Sequence, residues 1–179
     1  MSAAGAPSSA QGSPFWRFSL RFYREPKVAD ACIALQEEAG VDVNLLLFLL
    51  WHATQKRALS AQEVADLERK IGPWRDMTVV PLRAVRRALK SPPGLVEADA
   101  AEAFRTRIKA VELEAERLLQ EAMYEVASLL PPEHPASSVQ AAASASIAAY
   151  APICRAPFSK PAVETLLAAL TALERKPEE

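Results

Sequence analysis

The sequence predicts an all-α, single-domain helical bundle of about seven or eight helices, and three observations carry that expectation. Apolar residues recur at helical spacing in segment after segment, and caps, glycines and prolines punctuate the segments. No stretch alternates apolar and polar residues as a half-buried strand would. The third observation is the apolar run from Leu45 to Trp51, which follows the polar residues Asp42 and Asn44. A helix that is apolar on every face has to be buried on every face, so this segment is the expected centre of the bundle. It is too short to cross a bilayer, and no membrane span is expected.

Each element has a local reason. Ser13 can cap a first helix with Pro14 in its opening turn, and Phe15, Phe18 and Phe22 fall on one face that Trp16 and Tyr23 broaden. Pro26 is read as opening a second helix with the stripe Val28, Ala31, Cys32, Leu35 and Ala39, stopped by Gly40. Asp42 stands where the N-cap of the apolar helix belongs, and that helix is expected to reach about Arg57. Ser60 and Glu63 form a capping box for a fourth helix carrying Val64, Leu67 and Ile71, with Gly72-Pro73 as its stop. From Trp74 to Leu89 the apolar residues keep helical period across Pro81, which predicts a kinked helix or two short ones meeting there. Ser91-Pro92-Pro93-Gly94 is a break. The longest helix then runs from Asp99 to about Leu130, its stripe being Phe104, Ile108, Val111, Ala115, Leu118 and Ala122. Pro131-Pro132 ends it. Residues 136–150 suit a thin alanine-rich helix packed close to a neighbour, and Val163, Leu166, Leu167, Leu170 and Leu173 mark a last amphipathic helix.

This pattern divides the 179 residues into a small, polar, disordered N-terminal tail over 1–13, a helical core domain over 14–130, and a Pro- and Ala-rich C-terminal extension over 131–179. The tail has neither the basic start nor the apolar centre of a signal peptide. Cys32 and Cys154 are the only cysteines, and Cys32 falls on an apolar stripe, which fits a reducing, cytoplasmic setting. A net charge of -1 gives no global pull toward nucleic acid or anionic membrane, so a charged partner has to be sought in local patches.

The segments Phe15-Trp16-Arg17-Phe18-Ser19-Leu20 with Tyr23, Gly40-Val41-Asp42-Val43-Asn44-Leu45-Leu46-Leu47-Phe48 with Trp51, and Val80-Pro81-Leu82-Arg83 with Arg86-Arg87 resemble a family of small proteobacterial proteins of unknown function. Leu35-Gln36, Trp74-Arg75, Lys109, Glu112-Leu113 and Ala115-Glu116-Arg117 extend the similarity, which covers Phe15 to about Tyr124. The resemblance implies a soluble bacterial protein and supplies no reaction.

Three constellations invite functional readings. Arg83, Arg86, Arg87 and Lys90 share one helical flank that could hold phosphates of nucleic acid or a nucleotide. The next helix, however, carries Glu112, Glu114, Glu116, Glu121 and Glu125, and sequential helices on a short loop pack antiparallel. Internal pairing of the two flanks is therefore the stronger reading, and nucleic acid is not favoured. Glu112 with Glu116, and Glu121 with Glu125, have the spacing of carboxylates that share a metal, but neither His52 nor His134 completes a Glu-x-x-His set. A solvated face paired with Arg105, Lys109 and Arg117 is preferred, and no metal or cofactor is expected.

Finally, Asp42 and Asn44 with Trp51 and His52 could line a small-molecule pocket, yet one histidine without a placed partner is no catalytic constellation. No catalytic residue is assigned, and the chain has no glycine-rich phosphate loop or nucleophile elbow. The leading expectation is a non-catalytic adaptor or accessory module that binds another protein. Aromatic and arginine side chains dominate binding hot spots, so Trp16, Tyr23, Trp74, Arg75, Arg83, Arg86 and Arg87 are the candidate contacts. A helical enzyme or ligand carrier with Asp42, Asn44 and Trp51 at its pocket floor is the competing expectation.

Overall fold

The computed structural model describes residues 12–127 and 135–175. The expected tail over 1–13 thus lies almost wholly outside the described residues, as do Pro131-Pro132 and His134. The helices are α1 (Pro14–Tyr23), α2 (Val28–Ala39), α3 (Val43–Thr54), α4 (Ala61–Trp74), α5 (Val80–Ala88), α6 (Ala98–Ala127), α7 (Val139–Tyr150) and α8 (Lys160–Glu174). Among the described residues there is no strand, only an isolated bridge between Arg57 and Pro135. The chain is all-α.

Local chemistry sets most helix starts. Ser13 Oγ accepts from the Trp16 amide at 3.1 Å. Asp42 Oδ1 accepts from the amides of Asn44 and Leu45 at 2.8 and 3.2 Å. Ser60 and Glu63 complete the capping box, and Ser138 caps α7 through the Ala141 amide. Gly40 ends α2 at φ 72°, a conformation that needs glycine's freedom. At the start of α2, by contrast, Pro26 is not the opening residue. A turn over 24–27 with Lys27 in the left-handed region reverses the chain first, and the helix begins at Val28. Likewise α3 stops at Thr54, short of Arg57, because Lys56 adopts a positive φ.

As the sequence requires, α3 is the centre. Every residue from Asn44 to Leu50 is buried, and α7, α1, α6, α8 and α2 surround it. α7 makes the most extensive of these contacts: Ala142 and Ala143 are fully buried, their small side chains letting the two backbones approach. Ser146 Oγ accepts from the Leu59 amide and the Tyr150 hydroxyl from the Asp42 amide, both at 2.9 Å. The segment after residue 130, expected as an extension beside a 14–130 core, therefore supplies α7 and α8 to the same hydrophobic cluster as α1 to α4 and α6.

Two further expectations are corrected. Gly72-Pro73 does not stop α4. Pro73 and Arg69 face outward, where solvent can serve the carbonyl that lacks a partner, and the helix runs on into a π turn over Arg75–Val79. In that turn the Val80 amide bonds the Arg75 carbonyl, and Pro81 then sits in the first turn of α5, so the interruption expected at Pro81 falls just before it. On α6 the core face is rotated from the apolar stripe. Ala115, Leu119, Met123 and Ala127 are buried together with the polar Glu112 and Gln120, whereas Phe104, Val111 and Leu118 are 42, 52 and 50% exposed.

Candidate functional site

Arg75 stands where α4 passes into the π turn, and its side chain reaches the entrance of α3. Its Nη1 lies 2.5 Å from Glu68 Oε1 and 3.4 Å from Asp42 Oδ2, and its Nε donates to Asp76 Oδ1 at 2.9 Å. Beside it Gln120 of α6 donates to Asn44 Oδ1 at 2.8 Å. Asp42 thus caps α3, holds Arg75 and meets the Tyr150 hydroxyl through its amide. Asn44 is likewise committed to Gln120, and both residues are buried.

One turn further along, α5 lies against α6 and the two flanks pair as their charges suggest. Arg83 donates from Nε to Glu112 Oε1 at 3.0 Å and from Nη2 to Glu116 Oε1 at 2.7 Å. Arg86 donates through Nε to Glu112 Oε2 and through Nη2 to Oε1. Burial alone raises the Glu112 pKa, but the hydrogen bonds and charges of Arg86 and Arg83 hold it below the usual carboxylate value. Glu116 goes the other way. Burial raises it, Glu112 and Asp42 add to that, and Arg83 offsets only part.

These carboxylates are not the solvated face expected for them. Arg105 pairs instead with Glu102, and among the described residues Arg117 lies 3.9 Å from Glu114. With Arg83 and Arg86 committed internally, the basic stripe leaves Arg87, 3.4 Å from Glu37, and Lys90 toward solvent. Among the described residues no group of three or more His, Cys, Asp or Glu is placed to hold a metal ion.

The aromatic candidates separate by position. Trp51 is partly buried and packs against the core cluster, its ring 5.5 Å from Phe15, 5.8 Å from Phe48 and 5.6 Å from Tyr124. Trp16 is half-buried and Tyr23 exposed on α1, where burial of its hydroxyl, with the Cys32 and Glu116 charges, raises its pKa. Trp74 donates Nε1–H to the Ala115 carbonyl at 3.0 Å and walls a groove of about 430 Å³ between α4 and α6. Leu67, Ile71, Leu118, Ala122 and Val126 line this groove, with Lys70 its one charged residue. The pattern had placed Leu118 and Ala122 on a core stripe. The i, i+7 row Phe104, Val111, Leu118 is the signal that could have identified an open apolar face.

His52 is a core residue. It is buried, edge-on to Phe48 at 4.6 Å and Trp51 at 4.8 Å, and neither ring nitrogen has a hydrogen-bond partner among the described residues. Burial, helped by the Arg57 charge, lowers its pKa from 6.5 to about 4. The unfolded chain therefore takes up a proton that the folded chain refuses. Its contribution to stability is complete above pH 6.5 and is lost as pH falls from there toward 4, by about 2 kcal/mol at pH 5. Urea titrations at pH 7 and pH 5 should show that loss, and His52→Leu should remove most of it. Cys32, whose burial pushes the thiol up to about 12, stays a small apolar side chain across this range.

The helices and site described above correspond to a family. Its model, described as protein of unknown function DUF2390, matches residues 14–123, and the chain belongs to that family. No curated protein and no solved structure matches the chain. The match covers α1 to most of α6, and so includes the polar network and most of the apolar groove, but not α7 and α8. No helix among the described residues is long and apolar enough to cross a membrane.

Proposed function

We propose that the chain is a non-catalytic protein-binding module of the cytoplasm whose contact surface is the open apolar side of α6 with the α4–α6 groove. One observation carries this reading: the polar candidates are bonded to neighbours within the fold and His52 is sealed in the core, while large apolar side chains of α6 stand half in solvent. Asp42, Asn44, Arg75, Arg83 and Arg86 are held by neighbours within the fold. Phe104, Val111 and Leu118 are half exposed along one line that leads into the groove. Contiguous apolar surface of this kind marks interaction sites. The occupant it suits is the apolar face of a partner helix laid along α6. Of the arginine and aromatic candidates, Trp74 stands at this surface, and Tyr23 and Arg87 are exposed elsewhere. The two thiols, unpaired with each other, support a reducing compartment.

The test is capture of partners from the native host by tagged wild-type protein and by Leu118→Glu, with Arg87→Ala as a control. Leu118→Glu should lose a partner that the control retains, at least about tenfold, with its melting temperature nearly unchanged. Equal recovery by all three proteins, or a tightly held small molecule in native mass spectra with no bound protein, would overturn the reading.

A further inference from the structure

We infer that the occupant of the α6 surface is the same surface of a second copy of this chain, set antiparallel about a two-fold axis at Val111. The inference rests on the protein-binding reading and names its partner. Ala101, Ile108, Ala115 and Ala122 occupy one position of a seven-residue repeat on α6, and Phe104, Val111 and Leu118 occupy the position four residues before the next of these. That is the apolar seam of a two-stranded coiled coil. α5, the π turn and α4 pack on α6 within the fold, and Ala101 and Ala115 are buried, with Trp74 meeting Ala115; the Phe104, Val111, Leu118 edge is left open.

The register follows from spacing and charge. With Val111 on the axis, Phe104 and Leu118 are each seven residues from it, so Phe104 of one copy lies across Leu118 of the other. Leu118 lines the groove, so an aromatic anchor is delivered to an apolar cleft twice, as two-fold symmetry demands. The side chains flanking the open edge are Arg107 and Glu114, both exposed and on opposite sides of the axis. Antiparallel pairing brings Arg107 of each copy beside Glu114 of the other, whereas a parallel pairing sets these same-flank residues on opposite sides of the seam and makes no such pair. Arg107 lies over its own Phe104 ring at 5.3 Å, which places its charge beside the anchor. The flanking charges thus select a second copy in one orientation.

Light scattering coupled to gel filtration across a concentration series reads the association directly. Wild type should be dimeric at high concentration and dissociate on dilution. Val111→Asp, at a half-exposed position, should keep the helical spectrum and melting temperature and weaken association at least about tenfold. Arg107→Glu should also weaken it, and Glu114→Arg added to Arg107→Glu should restore it. In a Cys154→Ser background, Val111→Cys should form a disulfide-linked dimer faster than Ala103→Cys, because only the axial position meets itself. A chain monomeric at every concentration, or a dimer indifferent to Val111→Asp, would overturn the inference. If the chain is monomeric and Leu118→Glu still loses another protein in the capture experiment, the binding module stands and only the second copy falls. If neither association responds to these changes, both fall.

Discussion

Phe48→Asp is expected to abolish folding, with soluble yield lost or the cooperative thermal transition absent. Phe48 is fully buried, edge-on to Phe15 at 5.2 Å and close to Trp51 and His52. A carboxylate there meets aromatic and aliphatic carbon and an imidazole held neutral. The cost combines the lost aromatic packing, roughly 3–5 kcal/mol, with several more for an unpaired buried charge. That sum rivals the whole stability of an ordinary domain, about 5–15 kcal/mol. Leu46→Asp, on another buried face of α3, should do the same. Phe48→Leu keeps the site apolar and should leave a cooperative, less stable protein. The pair of outcomes separates burial on all faces from a general sensitivity of α3, and a soluble Phe48→Asp variant with an unchanged melting temperature would refute the central position of this helix.

That position was legible in the sequence because it is written locally. Seven apolar residues in a row have one physical solution, and the caps at Ser13, Asp42 and Ser60 act within a few residues of themselves. What was not legible depends on partners distant in the chain. On α6 the apolar stripe pointed to one face, yet Glu112 and Gln120 are buried because Arg83, Arg86 and Asn44 meet them there, and the stripe was left half in solvent. The weight of α7 was hidden for the opposite reason. Alanine and serine give a faint hydrophobic signal, and only contact with α3 shows that their smallness is what closes the core. Gly72-Pro73 reads as a stop to any local rule, but the freed carbonyl lies at the surface and costs little, so the packing of α4 and the π turn on α6 carries the helix through. For the candidate site, pairing of the α5 and α6 flanks followed from charge and antiparallel order. The tie from Arg75 to Asp42 did not, because the two residues lie 33 apart in the chain and meet only in the folded structure.

Glu112→Ala should be the most damaging single change in the polar network. The carboxylate is 5% exposed and accepts from both Arg83 and Arg86, so its removal leaves two largely sheltered guanidinium groups short of acceptors. Losing one member of a buried ion pair costs roughly 3–5 kcal/mol, and because Arg83 keeps Glu116 and both arginines retain some solvent, roughly 2–4 kcal/mol is expected at pH 7. Since the folded-state pKa of Glu112 is depressed, this contribution is present above the ordinary carboxylate value of 4.5 and disappears as pH falls through the folded value. Wild type and Glu112→Ala should therefore converge in stability toward acid. A charge-reversal cycle checks that the contact is direct. Arg83→Glu places a third carboxylate beside Glu112 and Glu116, and Glu116→Arg in the same chain should recover part of the loss, with an interaction energy beyond the roughly 0.5 kcal/mol typical of independent sites. Simple additivity in urea denaturation would mean that α5 and α6 are held by packing alone, with the arginine–carboxylate seam contributing nothing specific.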